Sequence, residues 1–99
     1  MGTCLSTTDY HIKDGQVSAF TDLWKAFLQW TQETQEGFES ARLVIDEADP
    51  HHLFSVGEWR DPASRQTWAG EPRFLEFFMP CRELCDNVQS SQFEVKVVF

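Results

Sequence analysis

No stretch of this chain approaches the ~20 consecutive apolar residues of a membrane span, so membrane insertion is not expected. Basic residues are scarce. Lys and Arg total 8 against 16 Asp and Glu, for a formal net charge of -8. They never cluster, and phosphate contacts need a basic face, so nucleic acid is excluded as a partner. Anionic membrane surfaces are disfavoured for the same reason, and the acidity reads as solubility. The 3 cysteines are an odd number that closes no disulfide framework within one chain; a reducing cytoplasm is the expected setting. The first fifteen residues, MGTCLSTTDYHIKDG, show no positive start followed by an apolar stretch, so no secretory signal is expected. A Gly-rich phosphate loop, a Ser-His-Asp order and a dinucleotide fingerprint are all missing. Neither C-x-x-C nor a histidine ligand spacing accompanies Cys81 and Cys85, so no metal is expected.

Aromatic residues, by contrast, are plentiful: 9 Phe, 4 Trp and 1 Tyr in 99 residues. With 41% apolar and 24% charged residues, the chain has the composition of one globular domain spanning 1–99.

Turn signals divide it. Cys4 to Ile12 alternates loosely and reads as a strand closed by Asp14-Gly15. From Gln16 to Glu36, Val17, Phe20, Leu23, Trp24, Phe27, Leu28 and Trp30 recur at spacings of three and four, which predicts a helix with an apolar arc of roughly 160°. Gly37 is expected to stop it in a left-handed conformation. Phe38 to Asp46 and His52 to Arg60 read as a hairpin around Asp49-Pro50. Asp61-Pro62 has the form of an N-cap followed by proline at the first helical position, and a short helix is expected to Ala69. Pro72 opens a further helix whose spacing runs from Phe74 to Val88, with a kink or break near Met79 caused by Pro80. Ser91 to Phe99 alternates and reads as the last strand. The order β-α-β-β-α-α-β points to an α+β fold, a ferredoxin-like split β-α-β sandwich with a four-stranded, mostly antiparallel sheet and helices on one face.

The strands carry apolar residues on both faces, at Leu43-Val44-Ile45, Leu53-Phe54 and Val97-Val98-Phe99. One layer of helices covers only one face. A second copy of the chain, packed sheet on sheet as a homodimer, is the expected cover; scattered surface apolars are the alternative.

The succession Lys13-Asp14-Gly15, Phe20, Leu23 and Trp24, Gly37-Phe38, Ala41-Arg42-Leu43, Phe54-Ser55-Val56-Gly57-Glu58-Trp59, Trp68, Phe74 and Phe93-Glu94-Val95 resembles the antibiotic biosynthesis monooxygenase (ABM) domain family. The resemblance runs from about Ile12 to Phe99 and implies a dimeric α+β barrel. It also implies one of several roles: cofactor-free oxygenation of polyketide aromatics or quinols, haem degradation, or no reaction at all. Trp68 matches the family's tryptophan on the short helix. The asparagine and histidine of the haem-degrading branch fall on Thr8 and Phe78, which leaves no axial ligand for iron, so haem degradation is not expected. The asparagine of the polyketide oxygenases falls on Ser64.

A cofactor-free oxygenase needs an apolar pocket that excludes water and a few polar contacts. Trp24, Phe27, Trp68, Phe74 and Phe78 are candidates to stack a small aromatic or hydrophobic ligand; the same residues serve equally as packed core. Tyr10, Ser64 and Arg73 are candidate polar contacts. His52 is the candidate base, with Trp68 beside it as the second catalytic candidate. A dimeric module that binds a hydrophobic ligand without turnover is the competing reading.

Overall fold

The computed structural model describes residues 3–99. The elements are β1 (Cys4–Ile12), α1 (Val17–Thr34), β2 (Phe38–Asp46), β3 (Asp49–Trp59), α2 (Pro62–Gly70), α3 (Pro72–Glu83) and β4 (Cys85–Glu94). The four strands form one sheet in the order β2-β3-β1-β4, and every neighbouring pair is antiparallel. This is the split β-α-β arrangement expected from the element order.

Local chemistry explains most boundaries. The Asp61 side chain accepts the Ser64 amide at 2.8 Å and Pro62 opens α2, so the orphan amide of the first turn is satisfied. The hairpin turn is Glu47-Ala48, two residues long, with the Asp46 carboxylate accepting the Ala48 amide at 2.8 Å. The expected turn at Asp49-Pro50 is thus displaced by two residues. Asp49 starts β3, paired with Asp46, and Pro50 follows it beyond the last β1 pair, His11 with His52, where its missing N–H interrupts no bond to β1.

Three expectations need correction. The helix spacing from Phe74 to Val88 crosses a boundary, because α3 ends at Glu83 and Cys85 already belongs to β4. A bulge is the reason: His11 pairs with Asn87 and Ile12 with Cys85, leaving Asp86 as the extra residue. That residue inverts the alternation, so Cys85 and Val88, three apart, both pack on the core and imitate a helical spacing. Pro80 does not break α3. The carbonyl it frees belongs to Glu76, on an exposed turn where water serves. The last strand ends at Glu94, and Val97, Val98 and Phe99 lie exposed outside it.

Gly37 also acts differently from expectation. Its φ is not positive; among the described residues that property belongs to Gly15. A Cβ at Gly37 would overlap the Ser64 side chain, so glycine here permits the close approach of α2 to the end of α1.

The inner face of the sheet is set by register. Tyr10 lies opposite Leu53 and Val88, Thr8 opposite Ser55 and Ser90, and Ser6 opposite Gly57 and Gln92. At one end this face is large and apolar. Tyr10, Ile12 and Leu53 pack there against Phe20 and Cys81 in the buried core. At the other end the same face carries small residues. Burial pushes the Cys81 thiol up to about 12 and that of Cys85 up to about 11. Both stay protonated and pack as small hydrophobes.

Candidate functional site

Small side chains on the sheet and rigid rings on the helices cannot close on each other. Between them lies a cavity of about 250 Å³. A cavity of roughly 150 Å³ holds a single benzene ring, so this one has room for a small fused ring system. Its floor is the sheet, with Ser6, Thr8, Ser55, Gly57 and Ser90 presented by alternation. Its walls include Trp24 and Phe27 from α1, Trp59 from β3, Trp68 from α2, and Phe74 and Phe78 from α3.

The walls are locked by ring packing. Phe27 is 3% exposed and stands at the centre. It lies 5.5 Å from Trp68 in a stacked arrangement and 5.3 Å from Phe74 edge to face. Trp68 in turn meets Trp59 at 4.9 Å and Phe74 at 4.7 Å. The Trp68 indole Nε1–H donates to Thr31 Oγ1 at 2.9 Å, and Thr31 Oγ1–H donates to the Phe27 carbonyl at 2.9 Å. Thr31 is fully buried. The indole N–H is therefore spent on orientation, and Trp68 offers a ligand its face and edge.

The floor is a hydroxyl cluster. Thr8 Oγ1 and Ser90 Oγ are 3.0 Å apart, and the Ser55 hydroxyl donates to Tyr10 Oη at 3.5 Å. Burial raises the Tyr10 phenol above its ordinary value, with hydrogen bonds to Ser55 and Thr8 opposing. Tyr10 is thus a neutral phenol at physiological pH, suited to donating a hydrogen bond to a ligand oxygen and not to removing a proton.

Of the residues singled out in the sequence, Tyr10, Trp24, Phe27, Trp68, Phe74 and Phe78 line this cavity. Ser64, Arg73 and His52 do not. The Ser64 hydroxyl accepts from Arg60 Nη2 at 3.2 Å, beside Gly37. Arg73 is exposed, pairs with Glu76 at 3.2 Å and lies over the Phe77 ring. His52 sits on the sheet face opposite Leu53, away from the helices, because successive strand residues alternate sides. There its Nε2 faces Asp9 Oδ1 at 2.7 Å and its Nδ1 faces Asp46 Oδ2 at 2.9 Å, with the His11 ring stacked at 4.7 Å. Both nitrogens meet carboxylates, an arrangement that favours the imidazolium, which donates twice. It joins strands and is not a free base.

This cluster has a pH signature. His52 is raised above its ordinary 6.5, first by the bond to Asp46 and then by that to Asp9. Asp46 is lowered from 3.8, chiefly by the bond to His52. A raised histidine stabilises fully below 6.5 and loses that contribution as pH rises through its folded value. A lowered aspartate stabilises fully above 3.8 and loses it as pH falls through its folded value. The gap in melting temperature between wild type and His52→Gln is therefore expected to be widest near about pH 5–6 and to narrow on both sides. A gap that does not vary with pH would contradict the assignment.

Sequence reasoning missed Thr31, Ser55, Trp59 and Ser90. The parity of β3 carries a signal for two of them, since Ser55 and Trp59 share the face of Leu53. Ser90 is hidden by the bulge. Among the described residues no group of three or more His, Cys, Asp or Glu side chains is arranged to hold a metal, and no helix is long and apolar enough to cross a membrane.

A family model described as antibiotic biosynthesis monooxygenase matches residues 6–79. No protein with a curated description matches the chain significantly. Among solved structures, a conserved protein from Methanosarcina mazei Go1 superposes with a TM-score of 0.87 at 22% identity, covering 97% of this chain and 95% of that one. SnoaB, a cofactor-independent oxygenase from Streptomyces nogalater, gives a TM-score of 0.86 at 12% identity, covering 99% and 97%. PA3566 from Pseudomonas aeruginosa gives 0.79 at 20% identity, covering 98% and 97%. At these identities the superpositions establish the fold.

Proposed function

Because this chain belongs to the antibiotic biosynthesis monooxygenase family, we propose that it is a cofactor-independent monooxygenase acting on an aromatic polyketide- or quinol-like substrate in the cavity beside Trp68. The observation that carries this reading is the pairing of an aromatic slot with a hydroxyl floor. The slot takes a planar ring system and sheds water from it; the floor hydrogen-bonds the ring oxygen. In an anthrone-type substrate the activated CH₂ gives its proton to solvent water at the cavity mouth, the resulting anion reduces O₂ to a bound peroxide that takes a proton back from water, and the hydroperoxide so formed loses water to leave a carbonyl. One oxygen atom enters the product and the other leaves as water. All the electrons come from the substrate, so no reductant or cofactor is needed. The chain's part is to bind, orient and dehydrate the substrate and to stabilise its anion through Tyr10 and the neighbouring hydroxyls.

A second reading, a ligand-binding module without turnover, is favoured by one observation: the titratable side chains at the cavity are Tyr10 and Arg65, and neither is a base at neutral pH. Dioxygen uptake with anthrone or a quinol separates the two. The enzyme consumes dioxygen above the protein-free rate; the binding module binds the same compounds and consumes none.

The working unit is proposed to be a cytoplasmic homodimer, each copy one ABM domain spanning 1–99. The outer sheet face supports this. It presents Leu5, Phe54 and Val56 half-buried and Val44 and Phe93 exposed, and burying each is worth about 1.5–3 kcal/mol. Sedimentation at micromolar concentration is expected to give twice the 11.5 kDa chain mass; a particle of chain mass would overturn the dimer.

A further inference from the structure

We propose that Arg65 selects ligands that carry a carboxylate on the aromatic ring system, an inference that rests on the cavity being a ligand site. Arg65 is half-buried, whereas every other lysine and arginine of the chain is exposed. Its guanidinium makes no hydrogen bond, ion pair or ring contact with the described residues. Two other arginines are paired, Arg60 with Asp61 and Arg73 with Glu76. An arginine whose stem is partly buried while its guanidinium has no protein partner keeps its donors available to a ligand, and the chain has 16 acidic residues that could have supplied a partner.

The position of Arg65 gives those free donors a use. α2 projects it into the lining of the aromatic cavity and also into that of an adjoining groove formed with Thr3, Pro62, Phe93 and Glu94. Gln92, on β4, lines both spaces as well. The two residues therefore stand where the cavity opens. Glu94 shares the groove but forms no ion pair with Arg65. A ring seated under Trp68 places a ring substituent at this mouth. A carboxylate there meets the planar fork of Arg65, which matches its two oxygens, with the Gln92 amide as a further donor. Among the described residues, Arg65 is the one charged residue in the lining of the aromatic cavity, and the Glu94 carboxylate in the adjoining groove disfavours a second acidic group on the ligand there.

Calorimetric titration with naphthalene carboxylate and its neutral carboxamide tests the assignment. Wild type is expected to prefer the carboxylate by roughly tenfold or more, as for a hydrogen bond to a charged group. Added salt reduces the preference. Arg65→Gln abolishes it by lowering carboxylate affinity far more than carboxamide affinity, and Arg65→Lys retains part of it, with circular dichroism showing the fold of each variant unchanged. Equal binding of the two compounds by wild type, or a preference that survives in Arg65→Gln, overturns the role of Arg65 and leaves the cavity reading standing. Binding of neither compound removes both.

Discussion

Phe27→Ala is expected to cost about 3–5 kcal/mol of folding stability. The ring is 3% exposed and touches the rings of Trp30, Trp68, Phe74, Phe77 and Phe78 at centroid distances from 5.3 to 6.3 Å. Its removal loses the transfer energy of a buried phenyl group and leaves a void that stiff neighbours cannot fill. Each aromatic pair adds roughly 0.5–1.5 kcal/mol beyond area burial. Against a total stability of about 5–15 kcal/mol for a typical domain, the loss is severe. Denaturant titration reads it as a lower midpoint at unchanged slope. Phe27→Leu keeps more of the volume and is expected to lose much less. A cost under about 1 kcal/mol for the alanine variant would mean that the ring cluster does not hold α1, α2 and α3 together.

Trp68→Ala is expected to leave the fold intact and to lower dioxygen consumption with an anthrone substrate by roughly 100-fold. That is the scale on which misplacing a reactant by about 1 Å acts. Trp68 is only half-buried, so its removal opens the cavity more than it empties the core. The change deletes a stacking wall and removes the indole N–H that Thr31 Oγ1 accepts, while the Thr31 bond to the Phe27 carbonyl remains. Trp68→Phe keeps a ring but not the N–H and is expected to fall between the two. Circular dichroism checks the fold in each case. An alanine variant that turns over at the wild-type rate would move the site away from α2.

How far the amino-acid sequence discloses this arrangement depends on the element. The apolar spacing of α1 and the Asp61-Pro62 cap of α2 are local signals, and both are realised within two residues of expectation. The aromatic walls are legible for the same reason: the helical period already places Trp24 with Phe27, and Phe74 with Phe78. The floor is not. Ser55 and Ser90 become neighbours of Thr8 only through pairings between distant strands, and a serine in a strand carries no signal of its own. β4 is obscured by one extra residue at Asp86, which turns an alternating pattern into a spacing of three. His52 illustrates the opposite difficulty. Its chemistry suits a base, but a single step of strand parity sends it to the face away from the cavity, where two carboxylates favour its protonated form. Arg65 was legible only as one more charge on a short helix. The three-dimensional structure makes it distinctive, because it alone among the basic residues is drawn in from the surface.

The fate of isotopically heavy dioxygen supplied with an anthrone-type substrate tests cofactor-free oxygenation most directly. The expected result is dioxygen consumed mole for mole with substrate, one heavy oxygen atom in the product carbonyl, and no dependence on added metal, flavin or nicotinamide. Consumption no faster than without protein, or a product carrying no label, would contradict it.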